Sequence, residues 1–407
     1  MWAGPASRKA FFRLARREGG CVIKELKVKN LLSFGPNEKT ISLGNLNVFI
    51  GPNGSGKSNF LEVIDLLRSA PDEFAKPIRD GGGIQDWLWK ADSGIPIASI
   101  DAVVSAKNTS SYTRYILSFT ATGLGFSIID EKIEKEKPDR NHVIPYLYYH
   151  FRNGAPVINI KGNERSLQRE LIDPTRSILA QRRDPEHYPE VSHLGTELPK
   201  IRLYREWSFG RYTIPRIPQK MDLPNEYLLP DGSNLGLVLN RLRKDIAVKE
   251  RLLQAMQALY EGIDDFGLDL EGNTGQVYLI EGRRTIPATR LSDGTLRYLC
   301  LLAILCHPKP PPLVCIEEPE LGLHPDILPT LADLLKEASE RCQLIVTTHS
   351  EGLVNAMSDC PEAVQVCEKR QGETTIQRLD PVDLKPWLEK YRLGTLWTRG
   401  DIGGTRW

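Results

Sequence analysis

Two short runs hold the residue types that handle phosphate: GPNGSGKS, from Gly51 to Ser58, and CIEEPELGLHP, residues 315 to 325. The first fits the pattern G-x-x-x-x-G-K-[ST] and lies between an apolar strand-like run and a helical one. Over Asn53, Gly54, Ser55 and Gly56 such a loop turns successive backbone N–H groups inward around phosphate oxygens, and the helix start behind it adds its positive end. Lys57 then reaches the β- and γ-phosphates, and Ser58 offers its hydroxyl to Mg²⁺. The expected ligand is a nucleoside triphosphate with its metal.

The second run sets Glu317, Glu318 and Glu320 directly behind the apolar LVCI, where like charges repel. A triphosphate site accounts for the crowding. Glu317 is the expected metal-side carboxylate, acting mostly through water because Mg²⁺ dehydrates reluctantly. Glu318, pointing elsewhere, accepts a proton from the attacking water or orients it. Glu320 stays open between a loop that senses a partner subunit and an ordinary surface ion pair or helix-start charge.

Two further stretches gain weight from position. LSDGT, Leu291 to Thr295, opens the helix-like TLRYLCLLAILC, so Ser292 and nearby N–H groups either receive a phosphate or simply cap the helix. LIVTTHS ends an apolar strand on His349, which places an imidazole where a γ-phosphate or attacking water would sit. His324, before Pro325, is expected only to shape a turn.

The elements that must position these residues are readable. VIKELKV and NLNVFIG are strand-like, and KSNFLEVIDLLRSA puts Phe60, Ile64 and Leu67 on one helical face. From about Ile97 to Ile133 the chain alternates, with Gly123 and Gly125 as turn signals, as an antiparallel meander does. Residues 161–275 lose that regularity and form an inserted, partly helical subdomain whose clearest helix is LGLVLNRLRKDIAVKERLLQAMQALY. No heptad pattern persists there, which argues against a coiled-coil arm. Beyond it α/β character returns through LVCIE, PDILPTLADLLKEASE, QLIVTTHS and a closing hairpin. The expected divisions are an extension over 1–21, a first lobe over 22–160, the insertion over 161–275 and a second lobe over 276–407.

Composition sets bounds. The 407 residues are 41% hydrophobic, with 53 Lys and Arg against 52 Asp and Glu, so the net charge of +1 supplies no global field toward nucleic acid or anionic lipid. Seven cysteines without a CxxC pair point to reduced thiols and a cytoplasmic setting, and no run approaches a membrane span. The first twenty residues are either a short targeting or docking helix or a poorly ordered extension.

The order of phosphate loop, LSDG, Glu-Glu strand and TTHS resembles the ABC-type ATPase heads of the RecF, OLD and SMC group, and LKVKNLLSFG looks like that group's opening. IEEPELGLHP is nearest the RecF-like and OLD-like forms, often described as AAA-type ATPases. The resemblance implies an α/β fold: a P-loop ATPase head of mixed sheet, flanking helices and an antiparallel β lobe. It implies ATP and Mg²⁺ as cofactors and hydrolysis through Glu318. It also implies a homodimer or higher oligomer with ATP sandwiched between heads, Ser292 and Gly294 of one completing the site held by Lys57 and Ser58 of the other. Gln85 is the candidate for the group's glutamine after the first helix.

The tail behind His349 lacks room for the nuclease domain of OLD proteins. The resemblance therefore favours an ATP-driven switch over a separate effector, such as a nuclease in prokaryotic anti-phage defence. The alternative is a repair or chromosome-associated ATPase binding duplex DNA, with Arg202, Arg205, Trp207, Arg211, Arg216 and Lys220 as its local support; a solvated β-surface explains that stretch equally well. Trp387, Trp397 and Trp407 either dock a partner or bury against the head.

Overall fold

The strand ahead of the phosphate loop forms over Leu46–Ile50 with all its side chains buried, and Lys57–Ser69 follows as a helix. Phe60 of that helix packs on Phe49 of the strand at 4.7 Å between ring centroids, which fixes the helix against the sheet. A computed structural model of the chain describes residues 22–90, 94–106, 111–123, 125–140, 142–152, 155–160, 163–166 and 172–404. The expected N-terminal extension with Cys21, and Trp407, lie outside the described residues. The chain divides into two units.

One unit holds residues 22–203, Cys360–Tyr391 and 395–404. The alternating meander becomes part of an antiparallel sheet whose order runs Lys39–Ser42, Ile23–Lys29, Ala98–Ser105, Tyr112–Thr122, Gly125–Lys135, Leu147–Arg152, Ala155–Ile160 and Asn163–Ser166. Tyr115, Leu117 and Phe119 alternate inward along it, as period two requires. In the same unit Leu46–Ile50 pairs in parallel with Val364–Arg370, which forms a hairpin with Glu373–Arg378. Trp397 is buried with its indole N–H on the Gly404 carbonyl at 2.9 Å, whereas Trp387 is 48% exposed.

The other unit holds Tyr204–Asp359 and Arg392–Gly394. Strands Leu313–Glu317 and Gln343–Thr348 run parallel, Glu317 opposite Thr347, so the acidic run and the TTHS run end together. The helix Asp293–Leu305 is buried from Leu296 to Leu305, which explains its continuous apolar sequence. The expected long helix is two, Leu235–Leu242 and Ile246–Leu259. Asp245 causes the break: its carboxylate accepts from the Ala247 and Val248 amides, and this cap starts a new helix where apolar spacing alone reads as continuous. Thr274–Glu281 pairs antiparallel with Asp265–Glu271, Arg284–Pro287 and Gln219–Lys220.

Burial pushes the thiols of Cys306 and Cys367 up to about 12, which keeps them protonated hydrophobes. Among the described residues no helix is long and apolar enough to cross a membrane.

Candidate functional site

The loop Gly51 to Lys57 curls at the head of its helix with Gly54 at φ 77° and Gly56 at φ 100°. Gly56 tolerates no side chain, since a Cβ there would lie 2.0 Å from Thr374 Oγ1. The Thr374 hydroxyl bridges the Ser55 carbonyl at 2.9 Å and the Ser33 hydroxyl at 2.7 Å, and Asn59 Nδ2 donates to Ser33 Oγ at 2.7 Å. The hairpin and the turn after the first strand thus brace the loop from behind. Lys57 is buried, and its Nζ donates to the carbonyls of Gly51 at 2.8 Å and Pro52 at 3.1 Å. Asn53, Gly54 and Ser58 face solvent, while Ser55 is buried. The structure brings these loop residues together in the first unit.

Glu317, Glu318, Glu320, Ser292, Gly294 and His349 are gathered in the other. The strand stops at Glu317 because Glu318 takes a left-handed backbone, φ 46°, which a glutamate rarely adopts. Its amide donates to Thr347 O at 3.0 Å and its carbonyl accepts from Arg297 Nη1 at 3.2 Å, contacts that hold the unusual turn. The turn sends neighbouring carboxylates to different partners. Glu317 Oε2 accepts from Arg205 Nε at 2.9 Å, and Glu318 Oε1 lies 3.4 Å from His349 Nε2.

Glu320 is neither a surface ion pair nor a helix-start charge. Its Oε1 accepts from Thr348 Oγ1 at 2.5 Å and from the His349 amide at 2.9 Å, and its Oε2 is shut off from solvent without a partner. Burial first of all raises its carboxyl above the ordinary range. The third acid therefore pins the base of the histidine loop.

Ser292 caps the Asp293–Leu305 helix by accepting from the Thr295 amide at 3.1 Å. Gly294 packs so closely on the next loop that a Cβ would sit 2.5 Å from the Gly322 carbonyl, tying LSDGT to the acidic run. Arg216, almost fully buried, donates to the Leu291 carbonyl, to Ala288 O at 3.3 Å and Thr289 O at 3.4 Å, and pairs with Asp293. The Arg297 guanidinium lies near both Trp207 at 5.6 Å and Phe209 at 5.3 Å, rings that meet edge-on at 5.9 Å, and burial lowers its pKa.

Arg205, Arg216, Arg297 and Thr374 escaped the sequence reading of the site. The arginine-rich stretch was visible, but nothing in its spacing names partners so far along the chain. Gln85 is exposed on the short helix Ile84–Trp87, and the His324 side chain accepts from the Asp326 amide at 3.3 Å, shaping the turn before Pro325–Ile327.

The AAA_21 family, described as "AAA domain, putative AbiEii toxin, Type IV TA system", matches residues 46–355, which include the site residues above except Ser33 and Thr374. The chain belongs to this family. Its fold is that of an SMC-like ABC-type head. An SmcHead bound to the C-winged helix domain of ScpA aligns at TM-score 0.55 and 17% identity over 89% of this chain and 99% of that one. An Smc head domain with an extended coiled coil, bound to the C-terminal domain of ScpA and derived from Pyrococcus furiosus, aligns at 0.55 and 14% over 90% and 98%. No protein with a curated description matches the sequence.

The residues present in this AAA_21 chain fit a magnesium nucleotide. The glycine cradle admits no side chain at Gly56, Lys57 supplies the cation, and Ser58 and Glu317 are hard oxygen donors of the kind Mg²⁺ prefers.

Proposed function

We propose that the chain binds and hydrolyses ATP and uses nucleotide occupancy to open and close a dimer that controls a separate effector. The observation that carries this reading is the braced loop with Lys57 tucked on the Gly51 and Pro52 carbonyls, a cation held where phosphates enter. Asn53, Gly54, Ser55 and Gly56 line the phosphates with backbone N–H groups, Lys57 takes the β- and γ-oxygens, and Ser58 and Glu317 are the metal-side oxygens. Mg²⁺, when bound, neutralises charge on the β- and γ-phosphates. Glu318 accepts the proton of the attacking water, and His349, 3.4 Å from it, orients that water and the γ-phosphate. Ser292 and Gly294 complete the site of a second copy, so that ATP closes the homodimer and hydrolysis releases it.

The family's description names a type IV toxin–antitoxin system, which supports a cytoplasmic role in prokaryotic defence, with an effector such as a nuclease as the controlled partner. Of the residues behind a duplex-DNA reading, Arg205 and Arg216 carry ion pairs to Glu317 and Asp293, which weakens its local support. The test is steady-state Mg-ATP hydrolysis with and without linear duplex DNA, together with sizing in ATP. Lys57→Ala is expected to lose nucleotide binding. Glu318→Gln is expected to bind ATP, turn over at least about 100-fold more slowly and accumulate as a dimer. Undiminished turnover in Glu318→Gln removes the assignment of the base, and stimulation by DNA that fades with salt moves the role to genome maintenance.

A further inference from the structure

The segment from Arg205 to Arg216 joins three parts of the site within its own unit. Arg205 Nε sits 2.9 Å from Glu317 Oε2, Trp207 and Phe209 pack on the Arg297 guanidinium, and Arg216 holds the Leu291 carbonyl and Asp293. Between the two anchors Arg211 and Tyr212 form an exposed tip, with Tyr212 83% exposed, while Trp207 and Phe209 are half-buried. Its start is thus tied to the carboxylate expected to face the metal, and its end to the turn expected to meet a second nucleotide.

We propose that Arg205 is the counter-ion of Glu317 in the nucleotide-free protein and competes with Mg²⁺ for that carboxylate, so that metal–nucleotide binding releases the front of the segment. This rests on the ATP-binding reading above. The chemistry supports an exchange rather than a permanent bond. A guanidinium and a hydrated divalent cation both want the same oxygens, and both cannot take Glu317 Oε2 at once. The pair is also displaceable, since Arg205 and Glu317 side chains keep 21% and 18% of their exposure and water screens them in part. A fully buried pair would cost far more to part. Arg205 is here a positioning residue: it sets how much Mg²⁺ the site needs and reports its arrival to a segment that also grips LSDGT.

The experiment titrates MgCl₂ at fixed protein and a fixed low concentration of a fluorescent ATP analogue, in wild type, Arg205→Gln, Arg205→Lys and Lys57→Ala. Arg205→Gln is expected to lower the half-saturating Mg²⁺ about five- to tenfold, because the carboxylate is no longer occupied by a cation. Arg205→Lys, which keeps the charge, is expected to stay within about twofold of wild type. A half-saturating Mg²⁺ that is unchanged or higher in Arg205→Gln overturns the proposal. Wild type that binds no more analogue than Lys57→Ala overturns the ATP reading itself, and the proposal with it. Hydrogen exchange on wild type gives a second measure needing no variant: amides of residues 205–209 are expected to exchange faster when Mg-ATP is added than with ATP and EDTA. Equal or slower exchange rejects the release even if Arg205→Gln fails to fold.

Discussion

Removing the Glu320 carboxylate should separate a structural acid from the two acids proposed to act on metal and water. In Glu320→Ala the Thr348 hydroxyl, 0% exposed, and the His349 amide both lose the oxygen they share. A hydrogen bond of this kind is worth about 1 kcal/mol net, and a buried donor left without a partner costs about 1–3 kcal/mol. The truncated side chain also leaves space behind, so the expected loss is about 2–4 kcal/mol, a fall of about 5–15 °C in the melting of that unit. Glu320→Gln should behave differently. One oxygen of the native acid takes both bonds and the other takes none, so an amide keeps both accepted bonds through its oxygen but sets its NH2 where no partner waits. Its expected cost is about 1–2 kcal/mol, less than that of alanine. Thermal and urea unfolding of the three proteins provide the comparison. An alanine variant within about 0.5 kcal/mol of wild type, or a glutamine variant as damaged as alanine, refutes the reasoning. If the clamp positions His349, ATP turnover in Glu320→Ala also falls by about 10–100-fold while nucleotide affinity is kept.

Gly56→Ala places a methyl group 2.0 Å from Thr374 Oγ1 at φ 100°, so nucleotide affinity measured by calorimetry should drop more than about tenfold. Normal affinity would mean that the loop relaxes easily and is not braced by the hairpin. Glu131, buried and accepting from Tyr115 at 2.8 Å, Ser177 at 2.6 Å and the Ile178 amide at 2.9 Å, is pushed by burial from 4.5 up to about 7. The folded state holds this proton more tightly, so its contribution is complete below pH 4.5 and is lost as pH rises through 7, amounting to at most about 3 kcal/mol. Glu131→Gln, neutral throughout, should flatten that part of the stability profile between pH 4.5 and 7, and a slope that persists would place its source elsewhere.

What was legible depended on how locally each feature is encoded. The phosphate loop needs only glycines, a lysine and a serine in order between a strand and a helix, and the meander needs only alternation; both are written within a few residues. Asp245 breaks a helix through its own side chain, a signal that was present but outweighed by the apolar spacing around it. Glu320 finds its partners 28 and 29 residues away, and Arg205 meets Glu317 across 112. No period or spacing carries such a pairing, because only folding decides which end of which strand a loop passes. The same basic stretch could therefore be read as a nucleic-acid surface, although two of its arginines turn to a carboxylate and to a row of carbonyls.

The crowding of three acids behind one strand is tolerable because each charge is met by a different device. A guanidinium balances Glu317, the left-handed backbone at Glu318 swings the next carboxylate toward an imidazole, and at Glu320 burial raises the carboxyl while two donors on one oxygen work against that shift and hold the side chain in place. The devices differ in how easily they are undone. The Arg205 pair is partly exposed and is the one proposed to yield to a competing cation; the Glu318–His349 contact, at 3.4 Å, is longer than a strong hydrogen bond; the Glu320 clamp is closed. Along four residues the chain thus grades from exchangeable to fixed, which is the order that a site needs if its metal comes and goes while the frame that aims its histidine stays put.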